Sequence, residues 1–201
     1  TNINFAHIKN FKSIKHIALA KSEIIQNTNP GGYVILNADD NFFSFHKKIV
    51  TQNNLKLVSF GIRNSQSDMK FLDIKKKENH FQLWTQINGV KKYFLVSNDF
   101  QNNIYNILAA LSVMSIYINI FELNKNIFFR FKVPQGRGDL SRIKIFKKKI
   151  NLIDESYNSN PLSLQSAIHN FEKIDAKKSK KYLLIGDMLE LGRHSKKLHK
   201  S

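Results

Sequence analysis

The sequence predicts an α/β protein built in two parts, and three observations support this. Apolar runs of strand length alternate with segments whose apolar residues recur every three or four positions, as expected where strands and helices alternate. The length of 201 residues suits one large domain or two small ones. A proline and glycine cluster at 133–138 interrupts the pattern and marks the best domain boundary. We therefore expect two domains, residues 1–134 and residues 135–201.

The first part is predicted to begin with a helix that Ser13 caps and that continues to about Gln26, because apolar residues recur there at helical spacing. A short apolar run at 33–36 predicts a buried strand, which ends in the acidic loop at 37–40. The dipeptide Asn88-Gly89 predicts a tight hairpin turn. The other expected elements are a helix at 41–50, a strand at 56–62, three strands within 69–96, a buried helix at 102–118 and a short helix at 123–131.

The second part is predicted to be a strand hairpin followed by a βαβ unit. Residues 141–146 and 150–154 form the expected hairpin, and Asn160 before Pro161 is a typical helix start. The apolar run at 182–185 predicts a strand after that helix. Because such a unit brings its loops to one edge of the sheet, where α/β proteins bind ligands, we expect a polar cleft there. The buried face of the helix is expected at Leu164, Ala167, Ile168 and Phe171.

Composition and charge limit the classes of protein to which the chain can belong. Its 42% hydrophobic and 23% charged residues exclude a disordered chain, and the lack of cysteine excludes disulfides, thiolate catalysis and cysteine-bound zinc. The net charge of +17 would favour nucleic acid as a partner, but 27 of the 32 basic side chains are Lys, which indicates a solvated surface instead. No apolar run is long enough to span a bilayer. We therefore expect a soluble protein that binds no nucleic acid and does not insert into membranes.

The chain carries no complete catalytic motif. It contains neither a G-x-x-x-x-G-K-[ST] phosphate loop nor a G-x-G-x-x-G dinucleotide fingerprint, and it lacks the G-x-S-x-G nucleophile elbow. It begins with Thr1 rather than Met and stops at Ser201 within a helical pattern. We therefore expect a middle piece of a longer protein, whose other parts supply further catalytic groups.

Lys21 lies on the apolar stripe of the first predicted helix, where two interpretations are open. A lysine in such a stripe commonly extends its ammonium group to solvent. Alternatively, burial keeps the amine uncharged, so that it takes up carbon dioxide as a carbamate and becomes an acidic metal ligand. His7, a short distance upstream, would suit the same metal as a neutral imidazole, although a lone histidine is more often structural.

A second group of polar side chains crowds the loop after the hairpin. Its members are Asp154, Glu155, Tyr157, Asn158 and Asn160. Asn and Asp are common in turns, and helix capping alone explains Asn160. The same group would also form a polar pocket beside a helix N-terminus, whose free N–H groups attract anions. Arg137, between two glycines at the boundary, either serves the hinge or reaches a phosphate with its planar fork.

Several segments resemble, in order, the blocks of the Mur ligase family. Those similar to its central ATPase domain and its exit are Thr1–His7, Ala20–Ile24, Asn37–Asp40, Asn103–Ala110 and Gly136–Gly138. Asp154–Pro161 and Gly186–Gly192 resemble the C-terminal domain of the branch that adds D-alanyl-D-alanine. The resemblance implies that residues 1–134 are part of a central ATP-binding domain and that residues 135–201 are the first half of a Rossmann-like C-terminal domain. The chain departs from the family pattern at Lys9, Asn102 and Glu155.

The resemblance implies an ATP-dependent ligase that adds D-alanyl-D-alanine to UDP-N-acetylmuramoyl-tripeptide through an acyl phosphate, in peptidoglycan precursor synthesis. It implies Mg²⁺ as a cofactor, with Lys21 as a carbamylated catalytic residue supporting the metal and His7 as a metal ligand. By the same resemblance, Asn103 and Asp154 contact ATP, while Arg137 is catalytic and contacts its phosphates. The residues implied to face ATP or the dipeptide are Tyr157, Asn158 and Asn160. We expect a monomer and an inactive chain when these 201 residues are taken alone.

Two alternatives stay open at this point. The nearer one is another Mur ligase or a folylpolyglutamate-type ligase that adds a different amino acid, although the loop at 156–161 favours the dipeptide branch. The more distant one is a basic nucleic-acid-binding module, which requires aromatic and basic residues interleaved on a sheet face. Only Lys91-Lys92-Tyr93-Phe94 suggests that arrangement.

Overall fold

The computed structural model describes residues 2–4, 8–97, 103–176, 179–189 and 191–199. The chain divides into two compact units. The first unit takes residues 1–3 and 18–132, and the second takes residues 4–17 and 133–201. The division after Lys132 lies close to the boundary expected from the proline and glycine cluster, whereas the grouping of residues 4–17 with the second unit has no counterpart in the sequence prediction.

The first unit is built on a five-stranded sheet. Strands β1 (Tyr33–Asn37) and β2 (Lys56–Gly61) run parallel, and β2 also pairs in parallel with β3 (Met69–Lys76). The sheet continues through β4 (Phe81–Ile87) and β5 (Val90–Val96) as an antiparallel meander, in the spatial order β1-β2-β3-β4-β5. The parallel strands therefore end side by side at one edge, while the antiparallel strands extend the sheet away from it.

Helices α1 (Ile14–Gln26), α2 (Phe43–Gln52) and α3 (Ile104–Met114) accompany the sheet, and α1 crosses the division between the units. Helix α3 packs on β1, β2 and β3. The core there is formed by apolar residues of the sheet and of one face of α3, among them Phe60, Met69, Leu83, Phe94, Ile107, Leu108 and Leu111.

Helix α3 is buried on one face only, so the expectation of burial all round is wrong. The sheet covers a single side of the helix, and Val113 on the other side is 44% exposed. The helix also ends at Met114 rather than near Ile118, and the backbone continues as turns through Tyr117.

The predicted hairpin turn is confirmed, but the predicted short helix at 123–131 is wrong. Asn88 and Gly89 both have positive φ, 48° and 84°, as a type I′ turn requires. The segment after α3 instead forms a 3₁₀ turn at Ile120–Glu122 and further turns at 125–130. A physical reason is that the N–H of Leu95 in β5 donates to the carbonyl of Lys125 at 2.7 Å. This bond joins the segment to the strand, so the carbonyl is not available to a helix.

The second unit contains the predicted hairpin and the predicted capped helix. Strands β6 (Asp139–Ile145) and β7 (Lys148–Asp154) pair antiparallel. Helix α4 (Pro161–Glu172) starts with a capping box, in which the Asn160 side chain accepts from the N–H groups of Leu162 and Ser163. None of its residues is buried, so the apolar face at Leu164, Ala167, Ile168 and Phe171 is only half-buried. A short helix α5 (Ser195–Leu198) follows near the end of the described chain.

The predicted strand at 182–185, and with it the βαβ unit, is not formed. This segment has no regular structure, and Leu184 is 100% exposed. A strand is stable only when a neighbour satisfies its backbone hydrogen bonds, and within the described residues β6 and β7 pair only with each other. The cleft expected between two loops of a βαβ unit is therefore absent from the described part of the second unit.

In the part of the chain that the structure describes, no helix is long and apolar enough to cross a membrane.

Candidate functional site

The carboxyl edge of the sheet in the first unit is organised around Asp39, which follows β1. Its carboxylate accepts hydrogen bonds from the backbone N–H groups of Ile62 at 2.6 Å, Arg63 at 3.0 Å and Asn64 at 2.7 Å, directly after β2. The hydroxyl of Tyr105, in the first turn of α3, donates to the same carboxylate at 3.0 Å. One half-buried side chain therefore joins the ends of two strands and the start of a helix.

These contacts determine the charge of both side chains. Burial by itself would raise the pKa of Asp39, but the N–H groups of Arg63, Ile62 and Asn64, together with Tyr105, outweigh it and hold that pKa below the ordinary 3.8. Burial, together with the hydrogen bond to Asp39 and its charge, raises the pKa of Tyr105 above the ordinary 10.0. At neutral pH the pair is therefore an ionised carboxylate and a protonated phenol.

The beginning of the described chain is attached to the same edge. The N–H of Ile3 donates to the Asp40 carboxylate at 2.7 Å, and the Asn37 side-chain amide donates to the Asn2 side chain at 2.6 Å. The sequence predicts this acidic loop but gives it no role. The signal that could have found it is the position of two carboxylates directly after a buried parallel strand.

Asn103 lies at the start of α3, two residues before Tyr105, so the Asp39 network fixes the helix end that carries it. Its side chain is half-buried and does not cap the helix; its oxygen accepts from the Asn106 side chain at 2.9 Å. The contact of Asn103 with ATP stays a prediction.

Lys21 is exposed on α1, while Ile17, Ala18 and Ile25 of the same stripe are buried. This matches the solvent-extending interpretation, and the burial expected for an uncharged amine is not present in this structure. The carbamate and metal roles of Lys21 stay predictions. His7 and Asn102 lie outside the described residues.

Arg137 in the second unit lies on a tight turn that ends the proline and glycine cluster. Its N–H donates to the carbonyl of Pro134 at 3.2 Å, and Gly136 has a φ of 75°, as the third position of a type II turn requires. The Asp139 carboxylate accepts from the N–H of Gly136 at 2.6 Å and closes the turn. The Arg137 side chain is exposed.

This turn is hydrogen-bonded to the loop that follows β7. The N–H of Gly138 donates to the carbonyl of Asp154 at 2.6 Å, and the N–H of Tyr157 donates to the carbonyl of Gly136 at 3.0 Å. Gly138 has a φ of 93°, and a Cβ atom there would stand 2.9 Å from the Glu155 carboxylate. The carboxylate could move aside, so it is the positive φ that favours glycine at this position.

The structure thus brings together three residues that the sequence selected separately: Arg137, Asp154 and Tyr157. The guanidinium carbon of Arg137 lies 4.1 Å from the centre of the Tyr157 ring, which is a cation–π stack. Within the described residues the guanidinium makes no hydrogen bond or ion pair, so its edge donors are open to a ligand.

The acidic residues of this loop differ in charge behaviour. Hydrogen bonds from the hydroxyl and backbone N–H of Ser156 lower the pKa of Asp154 below the ordinary 3.8. Partial burial, followed by the charges of Asp154 and Asp139, raises the pKa of Glu155 above the ordinary 4.5. Asp154 is therefore the more readily ionised of the two.

The remaining predicted residues of the loop are placed less clearly for binding. Asn158 is exposed, and the side-chain oxygen of Asn160 accepts from the N–H groups of Leu162 and Ser163 at 3.1 and 3.0 Å. Capping thus accounts for Asn160 in this structure, and the substrate contacts of both residues stay predictions.

No cluster of three or more His, Asp or Glu side chains among the described residues could hold a metal ion. Mg²⁺ is commonly held by only one or two carboxylates together with water and substrate phosphate oxygens, so its site stays a prediction.

A shallow basic groove of about 540 Å³ lies on β4 and β5, where the nucleic-acid alternative required interleaved aromatic and basic residues. Its lining is Trp84, Lys91, Lys92, Tyr93, Phe121, Leu123 and Lys125. Alternation along β5 divides the tetrapeptide 91–94 between two faces, because Phe94 is fully buried in the core. Lys92 donates to the carbonyls of Phe121 and Leu123 at 2.6 and 2.7 Å, so this cation is already engaged.

Residues 1–114 match the family described as Mur ligase middle domain. Among curated proteins, the chain is 34% identical over 200 residues to the UDP-N-acetylmuramoyl-tripeptide–D-alanyl-D-alanine ligase of Buchnera aphidicola subsp. Acyrthosiphon pisum, with 98% of this chain and 42% of that protein covered. It is 27% identical to the Escherichia coli K12 ligase of the same name, with 98% and 42% covered. The chain thus spans less than half the length of these relatives.

Solved structures show the same fold. MurF from Acinetobacter baumannii superposes with a TM-score of 0.80 at 22% identity, covering 98% of this chain and 41% of that one. MurF from Thermotoga maritima, solved with ADP, gives 0.77 at 24% identity, covering 99% and 43%. With the match to the middle domain over more than half of its residues, the chain belongs to the Mur ligase family.

Proposed function

We propose that the complete protein uses ATP to join D-alanyl-D-alanine to UDP-N-acetylmuramoyl-tripeptide in the cytoplasm. This step belongs to peptidoglycan precursor synthesis, and thus to the maintenance of cell shape and to cell division. The observation that carries the proposal is the stack of Arg137 on Tyr157, where the turn at 136–138 is joined by backbone hydrogen bonds to the loop that begins at Asp154. The names of the relatives support the choice of substrates.

In the proposed reaction, an oxygen of the peptide carboxylate bonds to the γ-phosphorus of ATP and ADP leaves. The amine of D-alanyl-D-alanine then attacks the acyl carbon, loses a proton, and expels phosphate together with that oxygen. Negative charge accumulates on the transferring group, so a planar, permanently charged guanidinium suits it well. We assign this role to Arg137, the ribose or base side of ATP to Asp154 and Asn103, and the dipeptide side to Asn158 and Asn160.

Magnesium would offset part of the same charge when bound. Lys21 as a carbamate and His7 are the ligands that this chain would contribute. The roles assigned to Arg137 and Asp154 above are argued separately from this metal site.

The nearest competing function is that of another Mur or folylpolyglutamate-type ligase with a different amine. The loop at 156–161 favours the dipeptide-adding branch. A test is to express the complete reading frame that contains this chain and supply ATP, Mg²⁺, the UDP-tripeptide and one amine at a time. We expect phosphate release and a product mass increased by one dipeptide with D-alanyl-D-alanine; turnover with free glutamate or a diamino acid, and none with the dipeptide, would contradict the proposal.

We further propose that residues 1–201 alone are inactive and that the complete protein is a monomer. The chain lacks a G-x-x-x-x-G-K-[ST] loop, which would cradle the phosphates of ATP. Substrate-dependent ATP turnover by the purified 201-residue chain would show that the site is misplaced. Light scattering of the complete protein measures its oligomeric state.

A further inference from the structure

Arg137 depends on a single side chain for its position. It is exposed, and within the described residues the Tyr157 ring at 4.1 Å is the one group that its guanidinium contacts. A free arginine side chain samples many rotamers, and ordering it on ligand binding costs conformational entropy. A stacked arginine has lost part of that freedom before the ligand arrives.

Tyr157 is attached to the same turn that carries Arg137. Its N–H donates to the Gly136 carbonyl at 3.0 Å. A Cβ atom at Gly136 would lie 3.1 Å from the backbone nitrogen and the Cβ of Tyr157, so the two backbones are in close contact. The ring and the arginine therefore keep their relative position through a short backbone connection.

The stack also leaves the N–H donors at the edge of the guanidinium available to a ligand. An aromatic ring attracts the face of the guanidinium, whereas a phosphate takes the N–H donors at its edge. Both contacts are therefore compatible in one geometry. The Tyr157 hydroxyl has no place in this arrangement, because the attraction comes from the ring face.

We infer that Tyr157 is a positioning residue whose ring holds the Arg137 guanidinium ready for a phosphate group, an inference that rests on the proposed function for the identity of that phosphate. It gives Tyr157 a task different from the direct contact with ATP or dipeptide that the family resemblance implies. The ring face, and not the hydroxyl, makes the contact that positions the guanidinium.

The test uses the complete protein and the variants Tyr157→Phe, Tyr157→Leu, Arg137→Ala and the double variant Tyr157→Leu/Arg137→Ala. Since an exposed cation–π contact changes an equilibrium by a few-fold, Tyr157→Leu should lower kcat/KM for ATP about fivefold, with the KM for D-alanyl-D-alanine unchanged. Tyr157→Phe keeps the ring and should stay within about twofold of the parent protein. In the Arg137→Ala background, Tyr157→Leu should have no further effect, because it acts through Arg137.

A second measurement needs no ligase activity and so separates failure of this inference from failure of the proposed function. In NMR spectra, the side-chain protons of Arg137 should be shifted upfield by the ring in the parent and in Tyr157→Phe, and not in Tyr157→Leu. Loss of kcat/KM in Tyr157→Phe equal to that in Tyr157→Leu, an undiminished Leu effect without Arg137, or the absence of the upfield shift in the parent would each overturn the inference. Tyr157 is 66% exposed, so its replacement leaves no cavity.

Discussion

The two units hold carboxylates in opposite ways. In the first unit, Asp39 accepts from three backbone N–H groups and the Tyr105 hydroxyl, and its pKa lies below the ordinary value. In the second unit, Glu155 is partly buried beside Asp154 and Asp139, and its pKa lies above the ordinary value. The ionised form of Asp39 therefore stabilises the folded state, whereas the ionised form of Glu155 destabilises it.

The difference extends to the surroundings of each site. The network of Asp39 lies against a core in which Leu108 and Leu111 of α3 are fully buried, whereas α4 of the second unit has no buried residue. Around the candidate site of the second unit, the contacts described above are backbone hydrogen bonds and one ring stack. We therefore expect substitutions in the first unit to act on structure and those at Arg137 to act on turnover.

Lys21 is the expected exception to this division, because it is an exposed side chain of the first unit whose predicted role is in catalysis. If it is carbamylated, Lys21→Ala in the complete protein should lower turnover about a thousandfold, the scale of losing charge compensation at a transferring phosphoryl group. Short carboxylic acids should restore part of the activity. Lys15→Ala, an exposed lysine on the same helix, is the matched control. Retention of most activity in Lys21→Ala would make it a solvent-extending lysine.

Arg137→Lys, in the second unit, should change turnover and leave stability almost unchanged. The substitution keeps the charge but loses the planar fork, so kcat/KM should fall about tenfold to a hundredfold while the melting temperature changes by no more than about 1 °C. Arg142→Lys on β6, also exposed, should change neither quantity. A large fall in melting temperature with normal turnover would make Arg137 structural.

Asp39→Asn, in the first unit, should weaken the local structure around residues 62–64. An amide has one acceptor oxygen, and its NH₂ group would face backbone N–H donors, at a cost of about 2 kcal/mol. Amide hydrogen exchange at residues 62–64 of the complete protein should accelerate about thirtyfold. Asp73→Asn, where the carboxylate accepts from the adjacent Ile74 N–H, should leave that segment unchanged. Equal exchange rates in both variants would contradict the role given to Asp39.

The smallest expected effect is a difference in pH dependence. The lowered pKa of Asp39 means that its contribution is present at and above 3.8 and is lost as pH falls through its folded value. The raised pKa of Glu155 means that its penalty is present at neutral pH and is relieved as pH falls through its folded value, above 4.5. Carboxyl ¹³C titration should give the two midpoints on opposite sides of these ordinary values, and Glu155→Gln should remove the relief on acidification.

Much of the fold could be predicted because local patterns decide it. The Asn88-Gly89 turn and the Asn160 cap depend on a few adjacent residues, and both are confirmed. The strand expected at 182–185 depends on a neighbour that the apolar run cannot reveal, and the helix expected at 123–131 is displaced by a distant strand that takes the Lys125 carbonyl. Spacing likewise selected Arg137 and Tyr157 but could not show their stack.

The role of Asp39 was missed for a similar reason. Its partners are backbone N–H groups at 62–64, and a backbone donor leaves no residue-specific signature in a sequence. The two interpretations of Lys21 stayed open in the sequence, because helical spacing gives the direction of a side chain but not how far a long one extends.

Transfer of the peptide's own oxygen to phosphate tests the central claim most directly. The complete protein would be incubated with ATP, Mg²⁺, D-alanyl-D-alanine and a UDP-tripeptide whose reacting carboxylate carries ¹⁸O at both oxygens. An acyl phosphate formed on that carboxylate predicts one ¹⁸O atom in each released phosphate, with ADP as the other product. Unlabelled phosphate, or release of AMP and pyrophosphate, would contradict the account.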